Sequence, residues 1–136
     1  MLTSALGYVV ALFTFVAADM VWLGLMAPRF YKPAMGDIAL AGFNLPPALV
    51  FYLIYPIGLL IFAIYPALRS GSPTNALVYG ALFGFFTYAT YDLTNYATLR
   101  NWTLQLTAVD VAWGAVLGAT ASLVSFLAVS RLMSAG

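Results

Sequence analysis

Asp19, Asp92 and Asp110 are three of only four acidic residues in this 136-residue chain, and each stands inside a long apolar run. An ionised Asp at the centre of a membrane helix costs about 2.5–3.5 kcal/mol, so each of the three needs a compensating role. Their neighbours at helical spacing are aromatic or polar. Trp22 follows Asp19 at i+3, Trp113 follows Asp110 at i+3, Asn95 follows Asp92 at i+3, and Tyr88 and Tyr96 lie one turn to either side of Asp92. The chain has no Cys and no His, which excludes thiolate, imidazole and haem chemistry and nearly every zinc site. What remains is carboxyl chemistry. A protonated Asp can serve as general acid beside an ionised one as base, with Tyr88 or Tyr91 donating a hydrogen bond. The candidate catalytic residues are therefore Asp92, Asp110 and Asp19. The same region can instead hold a ligand, through Asp19, Trp22, Tyr88, Tyr91, Asp92, Asn95, Arg100, Asp110 and Trp113. Three packed carboxyls cannot all carry charge, and one keeps a proton unless Arg29, Lys32 or Arg100 intervenes. The competing reading makes each Asp a structural partner for hydroxyls, Trp N–H groups or backbone freed at kinks. A hard cation would need further oxygen ligands that the sequence does not offer, so neither a metal nor a cofactor is expected.

The elements that must position these residues follow from composition. Hydrophobic residues make up 64% of the chain and charged residues 7%, against about a quarter charged in soluble domains. A net charge of +1 is too small to hold a polyanion, which leaves nucleic acid out as a partner. Apolar runs long enough to cross about 30 Å of hydrocarbon occur four times, over residues 3–26, 46–68, 75–97 and 105–130. The runs are continuous rather than alternating, which argues for helices over barrel strands. The expected fold is all-α: an integral-membrane four-helix bundle, a single transmembrane domain over residues 1–136. The second and third connections are short, which makes the second, third and fourth helices antiparallel neighbours. The first, residues 27–45, is long and mixes Phe30, Tyr31, Ile38 and Phe43 with Arg29, Lys32 and Asp37. It reads either as an interfacial segment or lid, or as a solvated loop. At about 1.5 Å per residue, Asp19 lies about 10 Å from the first connection, and Asp92 and Asp110 each about 8 Å from the third. In an alternating bundle those connections share a side, so the three carboxyls share a depth.

Other signals are structural. The apolar N-terminus lacks a basic start and is interrupted by Asp19, so it reads as a retained helix rather than a secretory signal. Arg29, Lys32 and Arg100 on one side against Arg69 and Arg131 on the other give too small a bias to orient the chain. Pro56 should kink the second helix near Tyr52, and Tyr65-Pro66 should mark its end. Gly80-x-x-x-Gly84 and Gly114-x-x-x-Gly118 let two backbones approach closely, within one chain or between copies in a homo-oligomer. Trp102 reads as part of an interfacial aromatic belt.

The runs Asp19-x-Val21-Trp22-Leu23, Phe30-Tyr31, Tyr55-Pro56-x-Gly58, Pro66-Ala67-Leu68, Gly84 through Thr98 and Asp110-x-x-Trp113-Gly114 resemble a bacterial family of small membrane proteins, that of domain of unknown function 2177. Tyr91-Asp92-Leu93-Thr94-Asn95 is the most specific of them. The resemblance implies a multi-pass protein of the bacterial cytoplasmic (inner) membrane and carries no reaction or catalytic residues. It also points toward lipid, through relatives encoded near lipid-modifying enzymes.

Three functions remain open on this reading. The first is binding, or helping to modify, a lipidic or amphipathic small molecule in a carboxylate-lined pocket, with membrane lipids as partners. The second is proton-coupled transport, suggested by short helices and an intramembrane carboxyl on the first. The third is an accessory role in a larger membrane complex. Whether any chemistry is catalysed stays open, and the balance leans toward a non-enzyme.

Overall fold

The computed structural model describes residues 1–40 and 44–135. Phe43, expected in the interfacial segment, lies outside the described residues. Among these residues every element is helical. Helix α1 spans Leu2–Met26. The chain then continues through a wide π turn at Ala27–Tyr31, the short helix α2 at Lys32–Met35 and a 3₁₀ turn at Gly36–Ile38. Helix α3 is Leu45–Leu59, followed by a π turn at Leu60–Ile64 and helix α4 at Tyr65–Ser70. Helices α5, Pro73–Thr98, and α6, Leu104–Ala135, complete the fold.

Three stretches among the described residues are long and apolar enough to cross a membrane: Leu2–Ile38, Leu45–Ser70 and Leu104–Met133. Helix α5 is the fourth member. Its Thr, Tyr and Asn residues lower its hydropathy, yet it packs along α6 more extensively than any other pair of elements meets. The result is an all-α membrane bundle. Helix α6 touches α5 and α1, α3 touches α1, and the Leu60–Ile64 turn with α4 closes the ring against α5.

Prolines shape the second rod differently from the sequence expectation. The change in hydrogen bonding falls not at Tyr52 but after Pro56, at the π turn, where the Tyr65 N–H reaches back to the Leu60 carbonyl. That turn restarts the helix so that Pro66 occupies its first turn, where a missing N–H costs little. Tyr65-Pro66 therefore does not end the rod. The end comes at Gly71, whose φ of 67° is a left-handed conformation that glycine adopts without a Cβ penalty. Ser72 then caps α5, accepting from the Asn75 N–H at 3.1 Å, with Pro73 in its first turn.

The glycine faces meet within one chain. A Cβ on Gly84 would lie 2.0 Å from the Gly114 carbonyl oxygen, and one on Gly80 would lie 2.4 Å from that of Gly118. Backbone thus touches backbone along α5 and α6. These surfaces fill each other within the chain.

The first connection is neither a free loop nor a detached surface helix. Tyr31 packs with Trp102 and Leu106, with Trp22, Met26 and Phe30 around them. The Asn101 side-chain amide donates to the Met35 carbonyl at 2.7 Å and to Asp37 at 2.8 Å. The first and third connections therefore lie on the same side. Trp102 is buried in this small cluster, 6% exposed, rather than displayed as a belt residue.

Candidate functional site

Antiparallel packing of α1 against α6 brings Asp19 level with Trp113, and the α5–α6 contact brings Asp92 level with Asp110. All three carboxyls are thereby gathered at one end of the bundle, as their depth required. Asp19, 6% exposed, accepts from the Tyr52 hydroxyl at 2.6 Å and from Trp113 Nε1 at 3.1 Å. Asp110 accepts from the Tyr31 hydroxyl at 2.6 Å, and that hydroxyl itself accepts from Trp22 Nε1 at 2.7 Å.

The partners are crossed between helices. The sequence pairs Asp19 with Trp22 and Asp110 with Trp113 on their own faces. In the fold, Trp113 serves Asp19, and Trp22 serves Asp110 through Tyr31. Between them the two indoles stack with centroids 4.3 Å apart and planes 4° from parallel. The i+3 rule places each Trp on the correct face, but the large ring extends to the neighbouring helix, and the acceptor there is the other Asp.

Asp92 is arranged differently. It is fully buried, and neither carboxyl oxygen has a hydrogen-bond partner among the described residues. Its carboxyl contacts that of Asp110. Two carboxylates only accept, so this contact becomes a hydrogen bond only when one of them carries a proton. Trp102 Nε1 and Ser122 Oγ are also buried without a partner among the described residues.

A groove of about 370 Å³ runs along α5 and α6, lined by Phe85, Ala89, Leu93, Leu104, Thr107, Ala108, Val111 and Ala112. Its walls are almost wholly apolar. Neither Asp92 nor Asp110 lines it, but Asp92 follows Ala89 at i+3 and Phe85 at i+7, on the face of α5 that carries these groove residues.

The remaining predicted residues divide. Tyr88 lies over Gly114, where an added Cβ would come within 2.2 Å of its ring, and its ring centroid is 6.2 Å from that of Tyr55. It belongs to the wall of the site. Tyr91 is 55% exposed and meets Trp102 edge-on at 5.6 Å. Asn95 makes no hydrogen bond to Asp92. Arg100 is not at the site: its guanidinium pairs with Asp37 at 3.6 Å, both side chains largely exposed. The third connection ends α5 with Leu99 in extended backbone, which directs Arg100 outward to the rim. Tyr31 and Tyr52 are the participants that reading by spacing missed. Each is a lone hydroxyl in an apolar stretch, and its partner lies on another helix, where sequence spacing carries no information.

The profile of a family described as predicted membrane protein, DUF2177, matches residues 4–127. The chain belongs to that family. No curated protein and no solved structure matches it. The matched span contains the whole site, from Asp19 through Trp113. Within it, Tyr91-Asp92-Leu93-Thr94-Asn95 forms the stretch of α5 that carries the unpaired carboxyl and one wall residue of the groove.

Proposed function

We propose that this membrane protein binds, or helps to modify, a lipidic or amphipathic small molecule, with the apolar part along the α5–α6 groove and the polar part at Asp92 and Asp110. One observation carries the reading: a fully buried Asp92 without a donor among the described residues, on the face of α5 that carries the apolar groove residues Phe85 and Ala89. A buried polar group without a partner costs about 1–3 kcal/mol, more when it is charged. A fold built only for stability has no use for it. The crossed network of Asp19, Trp113, Tyr52, Trp22 and Tyr31 has the opposite character, with its acceptors supplied, and it holds the helices that flank the site. All-helical spans support a cytoplasmic membrane over an outer-membrane barrel as its location.

Native mass spectrometry of the protein purified in mild detergent tests this directly. A defined amphipathic molecule retained by the wild type and lost from Asp92→Asn and Asp110→Asn supports the proposal. Bulk phospholipid alone, equal in all three, refutes it.

Proton-coupled transport is the second reading, favoured by the contact between the Asp92 and Asp110 carboxyls, which a single proton would bridge. It requires pH-driven flux in liposomes that disappears in Asp92→Asn. The accessory-subunit reading invokes the glycine faces and an Asp cluster paired with an Arg of a partner; the glycine faces pack within the chain, which leaves the Asp cluster to carry it.

A further inference from the structure

The site has more acceptors than donors. Asp19 and Asp110 take theirs from neutral groups, namely Tyr52, Trp113 and Tyr31. Asp92 takes none. One proton shared between Asp92 and Asp110 turns their contact into a single hydrogen bond. It leaves the second Asp92 oxygen still without a donor among the described residues, fully buried, on the face of α5 that carries the groove residues Phe85 and Ala89. A head group bearing a phosphate or carboxylate would add acceptors and negative charge to this surplus, in a medium where like charges repel far more strongly than in water. A hydroxyl brings one donor. An ammonium brings three and no acceptor, and its charge replaces the shared proton.

Resting on the proposed binding reading, we infer that the ligand is a single-chain or similarly slender amphiphile whose head donates hydrogen bonds and carries no net negative charge, an ammonium being the form that fits best. The apolar groove takes the chain. Asp92 is the residue that reads the head, and Asp110 is its neighbour in the same contact.

Three probes with one chain length separate the head groups: dodecylamine, dodecanol and dodecyl phosphate, each titrated into the purified protein in neutral maltoside micelles and followed by native mass spectrometry. Wild type should form a saturable one-to-one adduct with dodecylamine, a weaker one with dodecanol, and bind dodecyl phosphate at least tenfold more weakly than dodecylamine. Asp92→Asn, nearly isosteric, gives Asp110 an amide donor of its own and should lose at least tenfold of the dodecylamine binding. Ala108→Phe fills the groove with Asp92 intact and should weaken both adducts. Circular dichroism establishes that each variant is folded. Phosphate binding as tight as ammonium would overturn the head-group inference, and the binding reading would survive if Ala108→Phe still weakened the adducts. Dodecylamine binding unchanged in Asp92→Asn would overturn the role given to Asp92. No saturable adduct with any probe would overturn both inferences.

Discussion

Trp113 and Trp22 donate in opposite directions across the α1–α6 contact, and the stacked indoles between them make that arrangement measurable. Indoles at 4.3 Å couple electronically, so the near-ultraviolet circular dichroism of the wild type should contain a paired band that Trp113→Phe abolishes. Tyr31→Phe should weaken the band and lower the melting temperature, because it removes the acceptor of Trp22 and the donor of Asp110 together. Interhelical hydrogen bonds in membrane proteins contribute about 0.6 kcal/mol on average and up to about 1.7, and losing two of them places the cost near the upper figure. An unchanged spectrum and melt in Tyr31→Phe would show that the network is incidental. Asp92 should behave in the reverse way. Removing a buried, partnerless carboxyl relieves a desolvation cost, so Asp92→Leu should leave thermal stability unchanged or raise it while abolishing ligand retention. A marked loss of stability in Asp92→Leu would identify Asp92 as a structural group.

At the scale of elements, the glycine faces of α5 and α6 decide how close the carboxyls come. At Gly84 an added methyl would meet a backbone carbonyl at 2.0 Å, and backbone cannot step aside as a flexible side chain does. Overpacking of this kind typically costs about 1–3 kcal/mol, so Gly84→Ala should lower the melting temperature and loosen the Asp92–Asp110 contact. Gly24 is the internal control. A Cβ there meets nothing within 4 Å, and Gly24→Ala should stabilise α1 by up to about 1 kcal/mol through helix propensity alone. Equal melting shifts for the two variants would mean that the helices are not held by these faces. The π turn at Leu60–Ile64 acts on the same scale. It lets the chain pass Pro66 without ending the rod, which keeps α4 against α5 and the bundle closed opposite the site.

For the whole molecule, sidedness follows from the tie between the first and third connections. Asp37 and Arg100 lie at one rim, 74% and 80% exposed respectively, whereas Thr74 lies in the first turn of α5 at the other. Exposed ion pairs contribute little to stability, so replacing either partner should be tolerated. The chain has no Cys, which makes single-cysteine variants clean reporters. A membrane-impermeant maleimide should label Asp37→Cys and Arg100→Cys from the same side of sealed vesicles, and Thr74→Cys only from the other. Labelling of all three from one side would contradict a bundle of alternating helices.

The apolar runs, the all-α class and the gathering of Asp19, Asp92 and Asp110 toward one end were already legible in the sequence, because the bilayer imposes them. About 20 residues of apolar chain must bridge the hydrocarbon, every backbone group must be satisfied internally, and short connections force alternation. The two glycine motifs were legible too, but not their partners. Spacing along one helix shows which face a residue occupies and says nothing about what the facing helix presents. Tertiary packing therefore decided that the glycine faces meet within the chain, that Trp113 serves Asp19 rather than Asp110, and that Tyr31 and Tyr52 complete the network. It also left Asp92 without a donor and sent Arg100 out to pair with Asp37. Each of these outcomes is set by contacts between residues far apart in the chain, where local periodicity has no reach.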